Sequence, residues 1–214
     1  MIAVLFGVKY LHGKTILPAS VCDARRNQME LFETIHGRVT VGKVKPDPLP
    51  RSVIEKLLSA GAQAPNHHKA RPWRFVVLTG DGRKKLGDVF AASFLDRNPA
   101  APPEAGDKPR SLPLRAPVVI AAGVDKPAPG TKIIEIENVS AASAAAQNIL
   151  LAAHALGLGA IWRTGEWARD PKVKEFLGFA PDQHIVGFIY VGYPEVAPES
   201  YTRIGFEDRV TWIE

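Results

Sequence analysis

Three short segments of this chain gather side chains suited to electron-rich or phosphorylated ligands. The densest is Ala64-Pro65-Asn66-His67-His68-Lys69-Ala70-Arg71-Pro72-Trp73-Arg74-Phe75, with two histidines, a lysine, two arginines, an amide and an indole. It joins a helical pattern at Ser52–Gly61 to the strand-like run Phe75-Val76-Val77-Leu78. Rigid elements therefore hold both ends of the loop, an arrangement that commonly carries binding groups. Pro65 and Pro72 stiffen it and reduce the entropy lost when a ligand is clamped. A second reading leaves Lys69 and Arg74 solvated and makes Trp73 a core anchor at the start of the strand.

The other two segments are sparser. In Gly37-Arg38-Val39-Thr40-Val41-Gly42-Lys43, Arg38 and Thr40 stand two apart and share a side of extended backbone. They offer a guanidinium fork and a hydroxyl to a phosphate, although basic residues in connectors are commonly solvated. In Gly157-Leu158-Gly159-Ala160-Ile161-Trp162-Arg163-Thr164-Gly165, glycines permit close backbone approach, and Trp162, Arg163 and Thr164 add an aromatic face, a cation and a hydroxyl. The plain alternative is a C-cap glycine followed by a turn.

No nucleophile–base pattern accompanies these donors. The chain has no Gly-x-Ser-x-Gly and no His-Glu-x-x-His. His67 and His68 are adjacent, so they do not share a helix face as metal ligands, and no metal site is expected. A bound cofactor is the economical source of chemistry.

Bulk properties narrow the classes further. The 214 residues suffice for one domain with a substantial core. A net charge of +5 raises the question of nucleic acid, but no basic cluster interleaves with aromatics, so none is expected. Cys22 is the single cysteine, which excludes an internal disulfide and fits a reducing cytoplasm. No apolar stretch approaches ~20 residues, so no membrane span is expected.

The patterning interleaves helices and strands without repeats. Helices are expected at Met29–His36, Arg51–Ala60, Arg83–Phe94, Glu137–Leu156 and Pro171–Leu177. Strands are expected at Phe75–Leu78, Val118–Ala122, Ala160–Trp162, Ile185–Tyr190 and Arg209–Ile213. Gly80-Asp81-Gly82 reads as a turn, and Asn98–Arg115 as a long surface excursion or lid. The Ala-rich Glu137–Leu156 helix is apolar all round and should be central, in a monomer core or at a subunit interface. Residues 1–28 read as an N-terminal extension of doubtful order, with Met29 as a possible natural start and 29–214 as the functional domain.

Taken in order, these segments resemble the FMN-dependent nitroreductase family, most closely its small single-domain bacterial members. The resemblance rests on Arg-x-Thr, Ala-Pro-Asn-His…Arg-Pro-Trp-Arg-Phe, the Gln147-Asn148 helix, Gly-Leu-Gly-Ala-Ile-Trp-Arg-Thr-Gly and Ile185–Gly192, and spans Met29 to Pro194. It implies an α+β fold with a mostly antiparallel central sheet flanked by helices, and a homodimer with FMN at each interface. It implies ping-pong electron transfer from NADH or NADPH to nitroaromatics, quinones or related acceptors, with the flavin rather than a side chain carrying the chemistry. Dehalogenation, flavin fragmentation or flavin binding without turnover are the alternatives on this fold. By position, the flavin contacts are Arg38, Val39, Thr40, Gln63, His67, Trp162, Arg163 and Thr164. Val39 stands where the family has a second arginine, Gly42 where it often has a third, and Gln63 replaces a frequent arginine. Lys43, Lys69 and Arg71 are candidate substitutes.

Overall fold

The computed structural model describes residues 9–11, 14–16, 30–199 and 202–214. Cys22, Met29 and most of the 1–28 extension lie outside the described residues. The chain divides into two compact units, residues 1–36 and 37–214. The first contains a short antiparallel pair, β1 (Lys9–Leu11) and β2 (Lys14–Ile16), in the register Lys9↔Ile16. Helix α1 (Leu31–Gly37) begins there and keeps Leu31 and Phe32 exposed.

The second unit is built on one four-stranded sheet, order β3-β4-β6-β5 and antiparallel throughout. Its strands are β3 (Trp73–Thr79), β4 (Val118–Val124), β5 (Gly159–Arg163) and β6 (His184–Gly192). All seven residues of β4 are buried, which is why its sequence is an unbroken apolar run rather than an alternation. Side-chain alternation deals this run to two cores. Val119 and Ala121 join Phe188 and Tyr190 of β6 against Leu86 and Phe90 of α3 (Gly80–Arg97). Val118 and Ile120 join Ile189 and Val191 against Leu57 of α2 (Arg51–Gly61) and Ile149 of α5 (Glu135–Ala155).

Polar residues peg these layers together. Asn138 of α5 is buried and donates to Asp125 O at 3.0 Å, and Asn148 donates to Ala60 O at 3.2 Å. Asp170 is buried and caps α6 (Pro171–Phe176), accepting the backbone N–H of Lys172 and Val173 at 3.0 and 3.1 Å. The Ser93 hydroxyl of α3 also donates to it, which ties the two helices.

Three expectations need correction. Gly80–Gly82 is not a turn but the first part of α3, which starts directly after β3. Asn98–Arg115 is not a loose lid. It forms a short helical turn at Pro103–Gly106, helix α4 (Asp107–Ser111) and a second turn at Leu112–Arg115, with Gly106, Pro109 and Pro113 buried. Its backbone lies so close to α3 that a Cβ on Gly87 would stand 2.2 Å from Arg110 O. The absence of that one methyl lets the excursion dock, a cue no local pattern displays. Finally, Arg209–Ile213 forms no strand: a single helical turn at Glu207–Arg209 is followed by residues 210–214, which join no sheet. An isolated strand leaves its backbone groups without partners, so pattern alone does not make one.

The sheet also contains an irregularity beside β5. Register shifts between Ala122 and Gly123, which pair with Gly187 and Ile185, so Val186 bulges out of the ladder. Its carbonyl instead accepts the indole N–H of Trp162 at 3.0 Å. Gly187 has φ of 152°, and a Cβ there would lie 2.2 Å from Trp162 Nε1. Gly187→Ala should therefore lower unfolding free energy by about 2–3 kcal/mol through backbone strain and overpacking. Chemical denaturation measures this, and Gly42→Ala, at an open position, is the control.

Candidate functional site

The segment Arg38–Lys45 runs as an extended strap along the outer side of β5. Val41 N–H donates to Ala160 O at 3.0 Å and Lys45 N–H to Tyr193 O at 2.7 Å, and Val44 bridges Pro194. Val41 sits over Gly159, where a Cβ would come within 2.6 Å of Val41 Cγ1. This contact brings two of the three donor segments, Arg38–Thr40 and Trp162–Thr164, to one edge of the sheet. Arg38 and Val39 are half-buried, and Thr40 is exposed.

Two groups beside Arg38 have no signal in the sequence pattern. Arg203, in the tail, donates from Nη2 to Arg38 O at 2.6 Å, which sets a second guanidinium beside the strap. His154, in the last turn of α5, lies 3.0 Å from where a Gly37 Cβ would be. Burial holds its pKa below the ordinary imidazole value, and the positive charge of Arg38 lowers it further. The strap thus carries two guanidinium groups and a neighbouring imidazole.

At the end of β5, adjacent side chains face opposite sides of the sheet. Trp162 packs against the core under α5, fixed by its bond to the bulged carbonyl. Arg163 turns to the α3 side, with its Cζ 5.7 Å from the centre of the Tyr190 ring. Its Nε is buried and has no hydrogen-bond partner. Burial raises the Tyr190 phenol to about 12, while Arg163 and Arg115 pull in the other direction. Thr164 is exposed, and Gly165 follows at φ 105°.

The loop that dominates the sequence lies elsewhere, beside the N-terminal half of α5. Gln63 is exposed at the end of α2, its side-chain amide 3.5 Å from Ser59 O. His67 is exposed and, with Pro65, Asn66, Glu137, Ser140 and Ala144, lines an open cleft of about 610 Å³. Asn66 organises the loop: Oδ1 accepts Arg71 N–H at 2.9 Å, and Nδ2 donates to Ala64 O at 3.2 Å. His68, Lys69 and Arg71 have φ of 48°, 55° and 48°. Left-handed backbone at three residues that bear side chains stores strain.

Within the loop, Lys69 and Arg74 are exposed, as the solvated reading has it, whereas Trp73 joins neither core cluster. Arg74 is paired with Asp125 through Nε at 2.8 Å, and Trp73 is half-buried on the edge strand. Exposed charges at this pair screen one another with little effect on stability. Among the described residues no group of three or more His, Cys, Asp or Glu is placed to hold a metal ion. No helix among them is long and apolar enough to cross a membrane.

The geometry therefore joins a cationic strap to a strand end and places a strained polar loop on the flank of the central helix. Comparison with known proteins gives this arrangement its context. The nitroreductase family profile matches residues 35–193. YdjA of Escherichia coli (strain K12), which carries the name of an NAD(P)H nitroreductase, is 31% identical over 185 residues, covering 86% of this chain and 98% of YdjA. A nitroreductase-like family protein of Bacillus cereus superposes with a TM-score of 0.76 at 28% identity, covering 87% of this chain and 97% of that one. A nitroreductase-type protein of Desulfovibrio desulfuricans, solved in complex with FMN, shares the fold with a TM-score of 0.67 at 24% identity, covering 87% of this chain and 98% of that one. With the match across most of the second unit and the shared antiparallel architecture, the chain belongs to the nitroreductase family.

Proposed function

We propose that this chain is an FMN-dependent oxidoreductase that carries electrons from NADH or NADPH to nitroaromatic, quinone or related acceptors by a ping-pong cycle. The observation that carries this reading is the junction of the Arg38–Thr40 strap with the end of β5 through Val41 and Ala160. It brings Arg38, whose carbonyl accepts from Arg203, and the strand that leads into the Thr164-Gly165 turn to one edge of the sheet. That donor set fits a flavin nucleotide. Arg38, Arg203 and Thr40 would hold the phosphate, and Arg203 supplies a cation where Val39 does not. Val39, Trp162, Arg163 and Thr164 would border the ring system, with residues 29–214 as the binding domain.

Bound FMN supplies the two-electron chemistry between nicotinamide and acceptor. The chain's own contribution is orientation and charge. Cations beside the strap favour an anionic cofactor, and the indole of Trp162, pinned by Val186 O, fixes the backbone of the strand that borders it.

A homodimer belongs to the same proposal, and two observations support it. His67 flanks the N-terminal half of α5, whereas Arg38 lies beside His154 at its C-terminal end. Along the helix that is roughly 15–27 Å at its rise per residue. In a homodimer, one flavin would be served by the strap of one protomer and the loop of its partner. The tail also exposes Ile204, Phe206, Trp212 and Ile213, by 95%, 64%, 80% and 95%. Apolar surface of that kind is characteristic of an interface.

Purified protein is expected to be yellow, with flavin released on denaturation and NAD(P)H oxidised when a quinone is added; colourless protein that takes up no FMN defeats the reading. Arg38→Ala should weaken FMN binding by about 1–3 kcal/mol, read by fluorescence titration, and unchanged affinity removes Arg38 from the site. The His154 titration midpoint, followed by NMR, should rise when FMN binds, because the phosphate offsets the field of Arg38. By linkage, FMN then binds more tightly as pH falls through that midpoint. Light scattering should give twice the chain mass, and Trp212→Ser should shift the protein toward monomer.

A further inference from the structure

On the α3 side of the sheet, beneath the Leu112–Arg115 turn, lies a cavity of about 260 Å³ lined by Leu112, Arg115, Arg163, Trp167, Phe188 and Tyr190. Its walls are mainly aromatic and aliphatic. Trp167 is held face to face with Phe90 at 4.3 Å, and Phe90 meets Phe188 edge-on at 6.1 Å, so the floor is rigid. Two arginines break this apolar lining. Among the described residues neither Arg115 nor Arg163 is in an ion pair, and Arg163 Nε is buried without an acceptor. Glu166, also at the rim, is engaged by Arg97 at 2.5 Å and so does not neutralise them. Tyr190 is a neutral hydroxyl at physiological pH rather than a phenolate counter-charge.

A buried donor without a partner is costly, and an arginine's preferred complement is a carboxylate or phosphate. Volume decides what carries that anion. Pockets that enclose drug-sized ligands run about 300–1,000 Å³, so this one suits a single substituted ring and not a flavin nucleotide. The cavity also includes Thr164 and Gly165, the turn proposed to border the flavin.

We propose that this cavity selects the electron acceptor, and that it takes a small aromatic ring bearing a carboxylate. The carboxylate meets Arg163 and Arg115, and the ring lies among Trp167, Phe188 and Leu112. The inference rests on the flavin reading for its placement beside the reacting centre. Arg115 is the specificity residue, since it is exposed at the mouth.

Two measurements on FMN-loaded protein test this. By calorimetry, benzoate should bind at least about tenfold more tightly than benzyl alcohol, and Arg115→Gln should erase the preference while Arg115→Lys keeps part of it. In turnover, the ratio of kcat/KM for 4-nitrobenzoate over 4-nitrobenzyl alcohol should fall about tenfold in Arg115→Gln. Equal binding of benzoate and benzyl alcohol, acetate binding as tightly as benzoate, or an unchanged ratio in Arg115→Gln overturns the proposal. Benzoate that drives FMN into the filtrate also overturns it, since the cavity would then belong to the cofactor. Protein that takes up no FMN defeats the flavin reading alone, and the benzoate titration of that same protein still decides the cavity.

Discussion

Burial of both faces of β4 is the constraint from which the rest of the second unit follows. A strand with every residue out of water must be covered twice, once by α3 and once by α2 with α5. Its seven residues supply the middle of two cores whose total apolar burial outweighs any surface ion pair in this chain. The order β3-β4-β6-β5 then places β3 and β5 at the edges, and the binding segments are attached to those edges. Backbone groups at a sheet edge are available to non-sheet partners, and the strap uses them on β5.

The bulge in β6 shows how a small irregularity positions chemistry. One extra residue frees the carbonyl of Val186, which pins the Trp162 indole, and glycine at 187 leaves room for that indole. With Trp162 held to one face, strand geometry commits Arg163 to the other. Two neighbours that read as one motif therefore serve two surfaces, a helix-covered core and a cavity beside the excursion.

The central helix has two roles. Its small residues Ala141, Ala142, Ala145 and Ala146 are buried and allow close packing, as expected of an apolar helix at the centre of a fold. Its length separates the strained loop at one end from the cationic strap at the other. That separation is what the proposal of a site shared between two copies of the chain rests on.

Much of this was legible in order of residues, because the signals are local. Periodic apolar positions mark Arg51–Gly61, proline at the first turn marks Pro171–Phe176, and the apolar run Val118–Ala122 announces a buried strand. The donor segments themselves are visible as composition at element junctions. Docking of the Asn98–Arg115 excursion was not legible, because it depends on a single missing Cβ at Gly87 meeting a backbone oxygen far along the chain. The failure of Arg209–Ile213 to form a strand has the same origin, since a strand needs an edge to pair with and its own residues do not say where one is. Arg203 beside Arg38, the unpartnered Arg163 nitrogen and the Arg115 pocket likewise arise from long-range closure. The sequence by itself determined the fold class, its elements and the chemical types at the site. Only the tertiary structure decided which of those types share a surface, because strand alternation, register and helix length act across segments that are distant in the chain.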